Sequence, residues 1–184
     1  MALLEEARVD IGDPGRAADT MVAAITEVIE NTTDPVLKAR LQRIAGGETP
    51  RQILGITHDE AEALYAHGYA KLMHGDVDGA AIVFDKLIEL DPIEAKYFYV
   101  RGVCHHQKGD LVKAVRLYSH FLALKATSPD GWLRMAECHL ATGERLRARE
   151  MYETARDFAD EQGDAGASAL ARAQLVRLET ETPQ

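Results

Sequence analysis

Apolar residues fall at helical spacing along most of the chain, but the pattern changes character near residue 57. Before it, Ala18, Met21, Val22, Ile25, Val28 and Ile29 form one apolar face of a helix that Asp13-Pro14 can start. Asp34-Pro35 restarts a shorter helix with Leu37, Leu41 and Ile44 expected inward, and Gly46-Gly47 ends it before Thr49-Pro50. After it, the pattern repeats. Gly68, Gly102 and Ala136 lie 34 residues apart. The same interval links Gly75, Gly109 and Gly143; Ala80, Ala114 and Ala148; Phe84, Tyr118 and Tyr152; and Leu64, Phe98 and Trp132. One period carried through three copies at five positions fixes the architecture before any local assignment is needed.

A large apolar residue, a glycine or alanine, a turn glycine, a second small residue and an aromatic make up the tetratricopeptide pattern. Each has a physical task. Two helices of one repeat cross closely where Gly68, Gly102, Ala136 and Ala80, Ala114, Ala148 stand, because bulk there would force them apart. Gly75, Gly109 and Gly143 supply the turn between them, where positive φ is easy. Phe84, Tyr118 and Tyr152 fill the seam to the next repeat. The predicted fold is all-α: a tetratricopeptide solenoid with repeats at 61–94, 95–128 and 129–162. A helical region, 1–57, precedes it, and a capping helix with a tail, 163–184, follows. Thr57-His58-Asp59-Glu60 reads as a capping box. Asp91-Pro92 closes the first repeat, and Ser128-Pro129 places a cap and a first-turn proline before the third. Leu170, Ala173, Leu175 and Leu178 are expected to cover the second helix of the third repeat.

The first helix of every repeat lines the concave side of such a stack. Its second, fifth, ninth and twelfth residues point inward. These are Glu62, Tyr65, Tyr69 and Leu72; then Lys96, Tyr99, Val103 and His106; then Asp130, Leu133, Glu137 and Leu140. Three tyrosines and four aliphatics on that face suit an extended peptide held by a few apolar anchors, with tyrosine hydroxyls free to bond its backbone. The other reading is that the C-terminal helix or the N-terminal segment folds into the groove. A carboxylate clamp is excluded, since Tyr65, Tyr69, Val100 and Asp130 occupy positions it would need and only Arg134 fits.

Composition narrows the partners. Across 184 residues the net charge is -9, which opposes nucleic-acid binding and favours partners with basic stretches. Charges interrupt the N-terminus at once, so no signal peptide is expected. No apolar run approaches membrane-spanning length, so no membrane insertion is expected either, and the cytoplasm is the expected compartment. Two cysteines suit reduced surroundings. Cys104 and Cys138 share one repeat position, and neighbouring equivalents lie roughly 10 Å apart, beyond disulfide reach. His105 and His106 point to different helix faces, no His-Glu-x-x-His run exists, and no nucleophile stands beside a base. No metal, no cofactor and no enzymatic activity are expected.

Further residues resemble the class II chaperones of type III secretion: Gly46-Gly47 and Gly55-Ile56-Thr57, then Glu62-Ala63-Leu64-Tyr65, Val83-Phe84, Leu87 and Leu90-Asp91-Pro92. In the second repeat Tyr97-Phe98, Gly102, Cys104, Gln107, Ala114 and Tyr118 match, and in the third Ala136-Glu137-Cys138 and Gly143. The resemblance covers about residues 46–160. It implies a groove that holds a short proline-anchored apolar segment of a hydrophobic translocator protein, keeping it soluble and apart from its partners before secretion. Carried over by position, the contacts are Tyr65, Tyr69, Leu72, Leu90, Tyr99 and Val103. Leu72 and Val77 depart from the aromatics frequent in the family. The face of Met21, Val22, Ile25, Val28 and Ile29 either packs on the first repeat or forms a homodimer, which the resemblance favours. A second function class is an adaptor that assembles a bacterial complex through other surfaces.

Overall fold

In a computed structural model, residue 23 and residues 26–180 are described. The chain divides into two compact units, Met1–Gly55 and Ile56–Gln184. Ala18, Met21, Val22 and Ile25 lie outside the described residues; of that predicted face, Val28 is 56% exposed and Ile29 half-buried.

In the first unit, residues 26–31 are helical, and α1 runs Pro35–Ala45. The Asp34 carboxylate starts α1 by accepting from the Val36 and Leu37 amides at 2.8 and 3.3 Å, and Gly47 ends it with φ 89°. The expected inward face is not buried: Leu37 and Ile44 are 48% and 47% exposed and Leu41 is half-buried. Its described neighbour in the unit is α2, Pro50–Ile53, a single turn too small to cover a helix face. That turn escapes a periodicity argument because four residues hold barely one period. It is held by a reciprocal cap, Thr49 accepting from the Gln52 amide while the Gln52 side chain accepts from the Thr49 amide.

The second unit is a chain of helical hairpins. α3 (His58–Met73) pairs with α4 (Val77–Leu90), α5 (Ala95–Gln107) with α6 (Leu111–Leu124), and α7 (Pro129–Ala141) with α8 (Arg145–Gln162); α9 spans Ala165–Thr180. Each helix packs chiefly on the next in sequence, and α3 also meets α5, as α7 meets α9. This is the nearest-neighbour order of a solenoid. Thr57 and Glu60 form the capping box that opens α3. Gly75, Gly109 and Gly143 turn each hairpin at φ of 81°, 75° and 82°, and Asp76 and Asp110 then cap α4 and α6. Ser128 occupies the N-cap position of α7 without making the expected side-chain bond, so that start rests on Pro129 at N1.

At the first two crossings one helix of the pair presents bare backbone to a side chain of the other. A Cβ on Gly68 would stand 2.8 Å from Val83 Cγ1, and one on Gly102 would stand 2.6 Å from the Tyr118 ring. Ala80, Ala114, Ala136 and Ala148 are fully buried, and Phe84, Tyr118 and Tyr152 are the largest side chains removed from solvent. The cap α9 buries Leu175 and Leu178 of the expected set, but its inward stripe continues through Ala171, Ser168 and Ala167, while Leu170 is 45% exposed and Ala173 is exposed. The reason is angular: positions 167, 168, 171, 175 and 178 share one side of a helix with 3.6 residues per turn, and positions 170 and 173 turn away from it. That side meets Ala155 and Ala159 of α8 in one cluster. Asp160 fastens the turn, accepting from Ser168 Oγ and from Arg172, both at 2.6 Å.

Two substitutions test this packing in opposite directions. Gly102→Val should cost roughly 1–3 kcal/mol through overpacking against Tyr118. The Tyr118 hydroxyl is buried with no hydrogen-bond partner, and the equivalent residue of the first repeat is Phe84, so Tyr118→Phe should be neutral or stabilising. Urea unfolding midpoints measure both.

Candidate peptide-binding face

The inner face of the solenoid is the row formed by α3, α5 and α7. Side chains from successive helices meet along it, so the row is a joined surface rather than three separate ridges. On α3, Tyr65 stacks on Tyr69 (ring centroids 6.2 Å apart, planes at 13°) and presents its edge to Phe84 at 5.6 Å. Across to α5 it meets Tyr97 at 6.0 Å. Lys96 of α5 forms an ion pair with Glu62 of α3 and holds its Nζ 4.8 Å above the Tyr65 ring. Burial first, and then the neighbouring Tyr69 and Glu62, push the Tyr65 phenol above its ordinary value.

At the junction of α5 and α7, Tyr99 packs on Phe121 and Tyr118 at 5.1 and 5.9 Å. Its hydroxyl accepts from Arg134 Nε at 3.4 Å, and Arg134 in turn pairs with Glu137 at 3.0 Å. Burial works against the guanidinium charge, but the bonds to Tyr99 and Glu137 outweigh it and raise the Arg134 pKa. His106 Nδ1 lies 3.7 Å from Cys138 Sγ, and its ring stands edge-on to Tyr118 at 6.4 Å. Both cysteines are free and fully buried. Burial pushes the Cys138 thiol up to about 11 and raises Cys104 as well.

The structure sorts the residues expected on this face into three depths. Tyr69 is open, at 45% exposure, and Asp130 is exposed. Glu62, Tyr65, Lys96, Tyr99, Val103, His106, Glu137 and Leu140 are half-buried. Leu72 and Leu133 are corrections, at 7% and 4% exposure. Leu72 packs with Ala80, Phe84, Val100 and Cys104, and Leu133 with Tyr152 and Leu175. Each lies where the following helices close over its own, so both are floor rather than anchors. Leu90 is half-buried at the end of α4 and belongs to a second helix, not to the inner row. The bracing by Arg134 was not anticipated. Its signal is the spacing to Tyr99, one repeat and one residue on, which sets a cation beside the preceding tyrosine. The cap α9 packs on α8 and, more lightly, on α7. Residues 1–22, 24, 25 and 181–184 lie outside the described residues. Among the described residues no group of three or more His, Cys, Asp or Glu converges, and no helix is long and apolar enough to cross a membrane.

Two tetratricopeptide-repeat models match, over residues 65–130 and 105–173. The chain is 29% identical over 105 residues to the low calcium response locus protein H of Yersinia pestis, spanning 57% of this chain and 62% of the length of that protein. A type III secretion complex from Aeromonas hydrophila superimposes with TM-score 0.72 at 28% identity, over 80% of this chain and 97% of that one. PcrH, a Pseudomonas aeruginosa protein, solved with the chaperone binding region of PopD, gives TM-score 0.66 at 31% identity, over 68% of this chain and 96% of that one. The helical hairpins and the matching repeat models define a tetratricopeptide-repeat protein. Within that class, the chain belongs to the type III secretion translocator chaperones.

A pH prediction follows from the buried thiol and phenol. Cys138 is raised from an ordinary 9.0 to about 11, and burial raises Tyr152 from 10.0 to about 12. A raised pKa in the folded state contributes stability below the unfolded value that is lost as pH climbs through the folded one. Unfolding free energy should therefore hold up to about pH 9 and fall between about pH 9 and 12, read from urea midpoints. Below that range, thiol reagents should label Cys104 and Cys138 only as fast as the chain unfolds.

Proposed function

We infer that the protein is a chaperone of a type III secretion system that holds an apolar segment of hydrophobic translocators on the face of α3, α5 and α7. The carrying observation is that row of Tyr65, Tyr69, Tyr99 and Val103 on a fold shared with PcrH, which has been solved with the chaperone binding regions of PopD and PopB. Tyrosines contribute area at little entropic cost, and their hydroxyls serve the backbone of an extended segment. Ordering a disordered client offsets part of the contact energy, which suits a complex that must release at the secretion machine. The reading has no enzymatic step and no cofactor, and it assigns the protein to the cytoplasm, where translocators await export. The predicted homodimer, through Met21, Val22, Ile25, Val28 and Ile29, belongs to the same proposal.

A second reading, an adaptor that scaffolds a bacterial complex, draws on apolar residues away from the inner row: Ile82, Val112 and Leu146 are 64%, 72% and 80% exposed. Co-expression with translocators of the source organism and recovery of the bound protein separates the two. Tyr69→Glu, at an exposed site, should leave the fold intact by circular dichroism and weaken client capture about tenfold or more, the loss typical of an interface anchor. Undiminished capture by that variant, with loss on Val112→Glu, would favour the adaptor. For the dimer, light scattering at tens of micromolar should report twice the chain mass, and Ile25→Asp should return the monomer; a monomeric parent chain refutes that part.

A further inference from the structure

Tyr65 and Tyr99 hold the same position in successive repeats, and each meets a cation from the following inner helix that a carboxylate braces. The two cations sit differently. Arg134 bonds the Tyr99 hydroxyl and leaves that ring packed on Phe121 and Tyr118. Lys96 instead lies over rings, 4.8 Å from the Tyr65 centroid and 5.7 Å from that of Tyr97. Tyr69, Phe84 and Tyr97 take the other approaches to Tyr65. The ammonium therefore covers the part of Tyr65 that an incoming side chain would have to reach, and Glu62 ties it there.

We propose that the Glu62–Lys96 pair is a specificity-determining gate over Tyr65: an apolar client side chain seats on that ring only by displacing the ammonium. The proposal rests on the chaperone reading above and adds which residues control entry to its first subsite. The gate discriminates. A client whose side chain gains little on an aromatic floor cannot offset the loss of an ion pair and a ring contact, and is turned away. It also reverses the usual dependence on salt. Complexes held by charges across the interface weaken as ions screen them. Here the ion pair belongs to the closed state, with Lys96 and Glu62 side chains 32% and 39% exposed, so screening it favours opening.

The test uses a labelled peptide carrying the chaperone binding region of PopD with its charged residues replaced by serine, so that no intermolecular ion pair contributes. Fluorescence anisotropy then follows its affinity from about 0.05 to 0.5 M sodium chloride. The parent protein should bind more tightly as salt rises. Lys96→Met, which keeps the stem and removes the charge, should bind on the order of fivefold more tightly at low salt and show a flatter salt response. Glu62→Gln should flatten the response as well. If both variants bind like the parent with its salt slope, or more weakly, the gate is refuted and the chaperone reading stands. If neither parent nor variants bind while circular dichroism shows an intact fold, the client reading fails and the gate with it.

Discussion

The second unit depends on how closely its paired helices approach. Where α5 crosses α6, Gly102 sets bare backbone against the Tyr118 ring, leaving no room for even one methyl group; Gly68 does the same for Val83 and Phe84. Interiors at this density convert a change in one residue into a shift of a whole helix. A shift there would travel directly to the inner row, because Tyr118 also supports Tyr99 and His106 from below. The repeat is thus a means of holding a row of side chains at fixed separations, and the crossing residues determine that spacing from behind the row.

The inner row is consequently more self-sufficient than an empty groove. Its aromatics are stacked, edged or capped by one another, and its half-buried charged side chains are paired: Glu62 with Lys96, and Arg134 with Glu137. A half-buried row of this sort keeps the free chaperone from exposing a contiguous apolar stripe of its own, while Tyr69 and the ring edges remain within reach of a ligand. Local ion pairs at partial exposure set a modest barrier, so the face can be closed to solvent and still yield to a segment that covers enough apolar area to offset it.

Much of this architecture was legible because it recurs. A glycine at 75, 109 and 143 demands the same left-handed turn each time, and the structure gives each a positive φ; likewise Thr57 and Glu60 announce their own reciprocal bonds. What escaped lies where the period is silent. The buried stripe of α9 sets Ala167, Ser168 and Ala171 beside Leu175 and Leu178, and such small residues carry too little hydrophobicity to announce an inward face. Leu72 and Leu133 have the right phase to point inward, yet neighbouring helices close over them, and burial depends on that third dimension, not on phase. Arg134 joins Tyr99 through a spacing of one repeat plus one, which no comparison of equivalent positions brings together. The one-turn helix at Pro50 leaves too short a trace in the pattern to be read.

The central claim is that a translocator segment lies along α3, α5 and α7. Amide hydrogen exchange of the co-purified chaperone–translocator complex, compared with the free protein, tests it most directly. The account predicts slowed exchange in those three helices and at their facing side-chain neighbours, with α4, α6 and α8 unchanged on their outer faces. Protection confined to α4, α6 and α8, or to residues 26–53, would contradict it.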